Sequence, residues 1–259
     1  MSAGFDKPLA GIKVLITRAE GQADPLIKSV ERLGGIPVSI PMISFKKTGK
    51  SLPDGKYDWI IFTSANAFKF ACLTKERLAA LGHPKIAAIG EKTKEAIERL
   101  GFRIDFIPES FIAEAFVREF TGRLKQQEKV LLPKGNLARN IIYETLTSEG
   151  HICTEIIMYE NKMPPSSESG LIEFFETNKA DVLTFTSAST AANFMKIVRK
   201  NNLEEAIQES VVACIGPAAK NKAEALGLTV QICPDTYTVD GMLQAIIAFY
   251  KNDMSRRKL

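Results

Sequence analysis

The sequence of 259 residues has two histidines, one tryptophan and four cysteines, and it lacks the signatures of several common enzyme classes. It contains no GxSxG, GxxxxGKS/T, HExxH or GxGxxG motif, which argues against a serine hydrolase, a P-loop NTPase, a zinc protease and a conventional dinucleotide enzyme. His83 and His151 each stand before a strand-like run, at the end of a parallel strand opposite the ligand-binding edge. We therefore expect a site without a catalytic histidine, a metal or a cofactor.

The cysteines are scattered, and none has the CxxC or CxxH spacing that would favour a zinc site or a disulfide framework. No apolar run approaches the roughly 18 residues of a membrane span, and the first residues show no signal-peptide pattern. The net charge of +4 is concentrated in the basic tail from Lys251, so nucleic acid is not expected as a partner. We expect a cytoplasmic monomer that acts on a small molecule, away from membranes and nucleic acid.

The chain contains an internal pseudo-repeat. "WIIFTSANAFKF" at 59–70 is followed 123 residues later by "VLTFTSASTAANF", counted from Phe62 to Phe185. The offsets between matched segments differ slightly, which indicates short insertions in loops. The two copies span about 12–120 and 129–250. The other matched segments are 13–21 with 129–136 at an offset of 116, and 85–110 with 211–236 at an offset of 126.

Each copy alternates short β-rich runs with helical patterns, which predicts an α/β fold of parallel sheets covered on both faces. Apolar spacing predicts helices over 26–33 and 93–100. Four helices are expected to end at the glycine of "RLGG", "RLGF", "SEGH" and "ALGL", because glycine readily adopts the left-handed conformation that stops a helix. The predicted strands are Val14–Thr17, Trp59–Thr63, Ile86–Ile89, Ile104–Ile107, Val130–Leu132, Val182–Thr186, Val211–Ile215 and Val230–Ile232.

Two longer strand-like segments, 36–47 and 151–164, break this alternation and run into Pro-, Gly- and Ser-rich sequence. They predict a paired two-stranded connection between lobes.

Small and hydroxyl residues recur where strands end and helices begin. Their simplest role is N-capping, since Ser, Thr and Asn satisfy free N–H groups of a first helical turn. The alternative is ligand binding, because helix starts gathered at the carboxyl edge of a parallel sheet suit a ligand with several carboxylates. Nearby basic residues strengthen the second interpretation, although each alone is also typical of a solvated surface. The candidate binding residues are Thr17, Arg18, Thr63, Ser64, Asn66, Gly90, Lys92, Thr93, Lys134, Arg139, Thr186, Ser187, Ser189 and Gly216.

An ordered set of segments resembles the uroporphyrinogen-III synthase family over about residues 12–250. No single motif is diagnostic, but the whole set is present. The set comprises "VLITRAEGQADPLIKSVERLGGIPVSIPMISF", "DWIIFTSANAF", "AAIGEKTKEAIERLGF", "VLLPKGNLARN", "VLTFTSASTAANF" and "ACIGPAAKNKAEALGLTVQICPDTYTVDGMLQAI".

The resemblance implies two doubly wound, flavodoxin-like lobes joined by a two-stranded β linker. Lobe one would be discontinuous, from residues 1–36 and 165–259, and lobe two would be residues 47–151, with linker strands at 37–46 and 152–164. Periodicity alone leaves a second arrangement open, two consecutive lobes divided near residue 125.

The resemblance also implies an activity, the cofactor-independent cyclisation of hydroxymethylbilane to uroporphyrinogen III in tetrapyrrole and haem biosynthesis. Water is lost and ring D is inverted through a spiro intermediate. The substrate carries eight carboxylates, and helix N-termini at the sheet edge favour the binding of such anions. Tyr159 corresponds to the linker tyrosine of the family and is the expected proton donor to the departing hydroxyl, unless it only packs the linker.

The sequence departs from the family at Ala218 and Ala219, where threonine often follows Ile-Gly-Pro, so backbone N–H groups would have to serve there. The alternative function is a non-catalytic, tetrapyrrole-binding or regulatory module of the same ancestry. A flavodoxin-like signalling module is disfavoured because Arg18, not an acidic cluster, follows the first strand.

Overall fold

The computed structural model describes residues 7–256, with side chains described as far as Asn252, so residues 1–6 and 257–259 of predicted lobe one lie outside the described residues. The strands are β1 (Lys13–Ile16), β2 (Ile36–Ser39), β3 (Ser44–Lys47), β4 (Trp59–Phe62), β5 (Lys85–Ala88), β6 (Lys129–Gly135), β7 (Ile152–Lys162), β8 (Val182–Phe185) and β9 (Val211–Cys214). The helices are α1 (Asp24–Arg32), α2 (Ala65–Ala71), α3 (Lys75–Ala80), α4 (Glu91–Glu98), α5 (Ala113–Phe120), α6 (Ile141–Ser148), α7 (Ser166–Thr177), α8 (Ala188–Lys200), α9 (Glu204–Ile207), α10 (Pro217–Ala225) and α11 (Val239–Arg256), with a short 3-10 helix at Thr121–Arg123.

The chain divides into two compact units. Unit 1 holds the described residues up to Ser44 together with those from Lys162 onward, and unit 2 is Phe45–Asn161. The division is therefore discontinuous in sequence. The predicted linker segments are shared between the units, since β2 belongs to the sheet of unit 1, whereas β7 lies in the sheet of unit 2 up to Asn161.

Unit 1 is built on a four-stranded sheet in the order β2-β1-β8-β9, and its paired strands are parallel. Side chains alternate between the two faces of each strand. Val14 and Ile16 pack with helices α1 and α11, whereas Leu15 packs on the opposite face with residues of α7, α8 and α10. The sheet is thus covered on both faces, which confirms the predicted α/β fold.

Unit 2 is built on a five-stranded sheet in the order β3-β7-β6-β4-β5, in which β7, β6, β4 and β5 pair in parallel. Ile60 and Phe62 of β4 pack on one face against α2 and α4. Trp59 and Ile61 pack on the other face against α5 and α6. Of the helices in the described residues, none is long and apolar enough to cross a membrane.

The pseudo-repeat recurs in the strand registers. In unit 1 Lys13 pairs with Ile36, and in unit 2 Lys129 pairs with Ile152, so both partners differ by 116 residues. In the same way, the pair of Trp59 with Lys85 reappears as Val182 with Val211, at offsets of 123 and 126. The two copies found in the sequence therefore fold with the same strand pairing.

The predicted strands Ile104–Ile107 and Val230–Ile232 are wrong, because each contributes only one bridge, Phe106 to Ala87 and Ile232 to Ala213. Each segment keeps backbone bonds around its bridge, and a side chain makes the next bond of the ladder. The carboxylate of Asp105 accepts the N–H of Ile86 at 2.9 Å, and the amide oxygen of Gln231 accepts the N–H of Val212 at 2.8 Å. In a longer strand, these two N–H groups would have donated to backbone carbonyls of the neighbouring strand.

The predicted helix stops are confirmed. The four glycines all have positive φ angles, between 78° and 91°, which is the left-handed region that other residues rarely enter. They follow α1, α4, α6 and α10, at Gly34, Gly101, Gly150 and Gly227. His151 directly precedes β7 and His83 lies two residues before β5, so both stand at the strand starts, as expected.

Candidate functional site

A pocket of about 430 Å³ opens in unit 2 where β4, β5 and β6 reach their carboxyl ends. This is the edge at which parallel α/β sheets bind ligands. The pocket is lined by the residues after β4 and β5, by the segment that leads into α5, by the loop between β6 and α6, and by the carboxyl-terminal part of β7. These residues are Thr63, Ser64, Ile89, Phe111, Ile112, Ala113, Gly135, Asn136, Leu137, Ala138, Arg139, Ile142, Tyr159 and Asn161.

The side chain of Tyr159 is held at this pocket from three sides. Its ring stacks on Phe70, with centroids 5.1 Å apart at an interplanar angle of 26°, and meets the edge of Phe45 at 5.7 Å. The third contact is with Gly135, which pairs with Tyr159 across a bulge between β6 and β7. Aromatic pairs at such distances stabilise one ring orientation. The phenol is therefore placed by the fold and is not a free surface group.

The hydroxyl of Tyr159 lies 3.4 Å from Oγ of Ser64. Ser64 is the N-cap of α2, with an extended backbone, and its Oγ accepts the N–H of Ala67 at 3.1 Å. A serine that accepts this N–H still has its own proton to donate. When Ser64 donates to the phenol oxygen, the phenol O–H is left to point at a ligand. The capping and binding interpretations of Ser64 are therefore compatible.

Large apolar side chains surround the polar groups of the pocket. Phe111, Ile112 and Leu137 line it while remaining 54%, 52% and 66% exposed. Clustered exposed apolar side chains of this kind mark binding sites. Sequence reasoning missed all three, although Phe111 could have been noticed because the repeat places another exposed aromatic, Tyr237, 126 residues later. The combination suits a ligand with a flat apolar body and acidic substituents.

Arg139 is the cation that lines the pocket. Its guanidinium donates to both carboxylate oxygens of Glu114, at 2.6 and 3.3 Å, and both side chains are exposed. The hydrogen bond from Arg139 is the main reason why the pKa of Glu114 is lowered. A carboxylate ligand can therefore reach Arg139 only in competition with Glu114.

Lys134 is not among the residues that line the pocket. The residue is 7% exposed, and its ammonium donates to Oδ1 of Asn140 at 2.7 Å and to Oε1 of Glu155 at 2.5 Å. A buried lysine needs such a partner, because an unpaired charge in the interior is costly. The predicted contact between Lys134 and a ligand would require this ion pair to break.

The remaining predicted residues of unit 2 lie beside the pocket and do not line it. Gly90 begins α4 next to Phe111, and Thr93 is buried in the first turn of the same helix. Lys92 is exposed, and Asn66 lies in the first turn of α2. Of the predicted residues, the pocket brings together Thr63, Ser64, Arg139 and Tyr159.

In unit 1, Thr17 and Arg18 follow β1. Thr17 is fully buried and its hydroxyl donates to the carbonyl of Thr184 at 2.7 Å, so a ligand would have to break that bond. Arg18 is partly buried, and no carboxylate among residues 7–252 pairs with it. Burial lowers the pKa of Arg18. Arg18 is therefore the better anion-binding candidate of the two.

The other predicted residues of unit 1 stand at the starts of α8 and α10. Ser187 caps α8 in a reciprocal capping box with Thr190, and its Oγ lies 3.0 Å from Oγ of Ser189. Thr186 precedes this cap and is partly exposed. Gly216 begins α10, and a Cβ there would lie 3.2 Å from the ring of Tyr237.

The fold and the site together define a repeat-built α/β protein of two units, with a tyrosine, hydroxyl groups and an arginine at a carboxyl-edge pocket. The family model described as uroporphyrinogen-III synthase HemD matches residues 24–244. The chain belongs to the uroporphyrinogen-III synthase family.

Two named relatives are similar in sequence to this chain over nearly their full lengths. A uroporphyrinogen-III synthase of Synechococcus elongatus is 29% identical, with 93% of this chain and 96% of that protein covered. A putative uroporphyrinogen-III synthase of Methanocaldococcus jannaschii is 30% identical, with 91% and 98% covered.

Two solved structures show the same fold. A mutant uroporphyrinogen III synthase of Thermus thermophilus superposes with a TM-score of 0.63 at 15% identity, covering 93% of this chain and 100% of that one. A uroporphyrinogen-III synthetase of Helicobacter pylori gives 0.62 at 16% identity, with 92% and 99% covered.

Proposed function

We propose that this protein catalyses the closure of hydroxymethylbilane to uroporphyrinogen III, as a hydro-lyase that uses no cofactor. Family membership supports the reaction class. The observation that carries the proposal is the phenol of Tyr159, which is fixed at a carboxyl-edge pocket with its oxygen 3.4 Å from Ser64. The pocket offers an acid for the departing hydroxyl, a cation for carboxylates and an apolar rim for pyrrole rings.

In the first step the phenol O–H of Tyr159 donates its proton to the terminal hydroxyl of the substrate. The C–O bond breaks, water leaves, and the lone pair of the adjacent pyrrole nitrogen forms the electrophilic azafulvene. Tyrosine is one of the side chains that act as general acids, and its phenol O–H can serve as this donor. Donation from Ser64 to the phenol oxygen would keep the proton directed at the substrate.

In the second step the substituted carbon of ring D attacks the azafulvene and forms the spiro intermediate. Opening and reclosure of this intermediate invert ring D. The ring-D carbon that closes the macrocycle then loses its proton, which restores the aromatic pyrrole and returns a proton to the phenolate of Tyr159. Spontaneous closure gives the type I isomer, so the protein must hold the chain in the geometry that favours the spiro carbon. Proximity and orientation can supply about 7–11 kcal/mol of a barrier in well-aligned reactions.

Substrate carboxylates require positive groups and N–H donors. We propose that Arg139, Thr63 and Ser64 contact them in unit 2, with N–H groups of the segment that follows β4. In unit 1 the candidates are Arg18, Ser189 and the N–H groups at the start of α10 after Gly216. The exposed ring of Phe111 would lie against a pyrrole.

The test is to generate hydroxymethylbilane in situ, add the protein, oxidise the product and resolve the isomers. Type III in excess over the protein-free control supports the proposal. Type I alone, together with measurable tetrapyrrole binding, would favour the non-catalytic binding module.

We also propose a cytoplasmic monomer. The four cysteines are all free thiols, which fits a reducing compartment. Sedimentation at micromolar concentration tests the oligomeric state.

A further inference from the structure

Gly135 lies under the ring of Tyr159. A Cβ at Gly135 would be 2.5 Å from Cζ of Tyr159, 2.7 Å from its hydroxyl oxygen and 2.8 Å from Cε2. Real Cβ atoms essentially never show such contacts. The φ angle of Gly135 is not in the left-handed region, so the backbone does not require a glycine. The absence of a side chain is required by the tyrosine ring.

The ring has little freedom to move away. Phe70 stacks on it and Phe45 meets it with an edge. The hydroxyl lies beside Ser64, which is itself held by the N–H of Ala67. A displacement that relieved a contact at Gly135 would therefore disturb the aromatic stack and the hydroxyl position together.

The other copy of the repeat offers an internal comparison. At the offset of 116 that relates β1 to β6 and β2 to β7, the counterparts of Gly135 and Tyr159 are Ala19 and Ile43. The copy without the tyrosine has a side chain at the glycine position. Glycine therefore accompanies the aromatic ring and is not a general need of the β-strand end.

We propose that Gly135 is a positioning residue, whose missing side chain lets the phenol of Tyr159 lie against the end of β6 with its hydroxyl at Ser64. This inference rests on the proposed role of Tyr159 as the acid. An added methyl group would have to displace the ring by about 1 Å to reach ordinary contact, and a misplacement of that size can cost about 10²-fold in rate.

The first experiment compares Gly135→Ala with Gly122→Ala. Gly122 lies in the same unit, a Cβ there would meet nothing within 4 Å, and its φ is not in the left-handed region. We expect Gly135→Ala to lower kcat by about 10- to 10²-fold with a much smaller change in KM and with type III still the product. Gly122→Ala should match wild type. Wild-type kcat in a folded Gly135→Ala would overturn the proposal.

The second experiment separates positioning from folding. Tyr159→Phe keeps the ring carbons, so Gly135→Ala still meets Cζ and Cε2 in both backgrounds, but it should lower kcat only where the phenol is present. An equal fractional loss of kcat in the Tyr159→Phe background would show a general structural effect and overturn the inference. Wild-type kcat of Tyr159→Phe alone would also overturn it. Neither result would remove the proposed function, which the isomer assay on wild type decides separately.

A third variant covers the case in which Gly135→Ala does not fold. Tyr159→Leu removes the ring, so Gly135→Ala/Tyr159→Leu should fold if the ring is what the glycine accommodates. Failure of this double variant to fold, with Tyr159→Leu alone folded, would overturn the inference.

Discussion

Ser64 and Ser187 occupy the same position in the two copies of the repeat, and they differ in what surrounds them. Both follow a buried strand, both have extended backbones, and both cap a helix by accepting an N–H, at 3.1 and 3.2 Å. Ser187 is bonded within its own helix start, to Thr190 and near Ser189. Ser64 lies beside the phenol of Tyr159. The repeat thus encodes the cap twice, while only the cap of unit 2 has a tyrosine of β7 beside it.

The largest expected effect is that of Tyr159→Phe, which removes the phenol proton and keeps the ring. We expect kcat to fall by about 10- to 10³-fold, because general acid catalysis typically contributes about 10²- to 10⁴-fold and the pyrrole nitrogen already assists departure of the hydroxyl. The product should remain type III, since the isomer is selected by how the chain is held. The measurement is initial rate with isomer analysis.

Tyr237→Phe is the matched control in unit 1, because Tyr237 is exposed beside Gly216. It should leave kcat unchanged. An equal loss in both variants would break the assignment of the acid to unit 2. Release of type I by Tyr159→Phe would instead show that Tyr159 orients ring D.

The next effect concerns the two arginines. Arg18 is partly buried and unpaired within the described residues, whereas Arg139 already binds Glu114. A hydrogen bond to a charged group contributes about 1.5–3 kcal/mol, so Arg18→Gln should raise KM by about tenfold or more. Arg139→Gln should raise KM only about threefold, since its exposed pairing makes it a weaker site.

Lys179 supplies the control, because it forms an exposed ion pair with Glu209 in unit 1. Lys179→Gln should leave KM unchanged. A larger increase in KM for Arg139→Gln than for Arg18→Gln would contradict this ranking of the two arginines.

A smaller effect separates the two serines. Ser64→Ala and Ser187→Ala should each lower the free energy of unfolding by about 1 kcal/mol, because each removes an N-cap. Only Ser64→Ala should also lower kcat, by about two- to tenfold, the equivalent of one neutral hydrogen bond. Thermal unfolding and steady-state kinetics measure the two quantities. Equal kcat losses would mean that the hydroxyl of Ser64 acts only as a cap.

The smallest effect is on thiol reactivity. Burial raises the pKa of Cys214 in unit 1 to about 12, whereas Cys72 in unit 2 is exposed. At pH 8 a thiol reagent should label Cys72 in the native protein and Cys214 only after unfolding, as mass spectrometry would show. The raised pKa favours the neutral thiol, so its contribution to stability is present below about pH 8.5 and is lost toward pH 12. Rapid native labelling of Cys214 would contradict this.

Most of the fold could be predicted from local patterns. Leu15 points to one face of the sheet and Val14 and Ile16 to the other, and helices pack on both faces. Gly34 and its three counterparts stop helices because glycine enters the left-handed region without the steric cost of a side chain. The predictions for 104–107 and 230–232 are wrong because one N–H of each neighbouring strand is taken by a polar side chain, which apolar periodicity does not reveal.

The sequence by itself determined the repeat, the parallel sheets and the family, because these follow from spacing and from matches along the chain. Only the tertiary structure decided which candidate residues meet. Lys134 is a predicted ligand contact because it follows the predicted strand Val130–Leu132, yet it lies within β6, and Glu155, 21 residues away, binds its ammonium. Tyr159 meets Ser64, which is 95 residues away, and rests on Gly135 across a bulge. Such contacts depend on the pairing of separate strands, a non-local property that residue type and spacing do not contain.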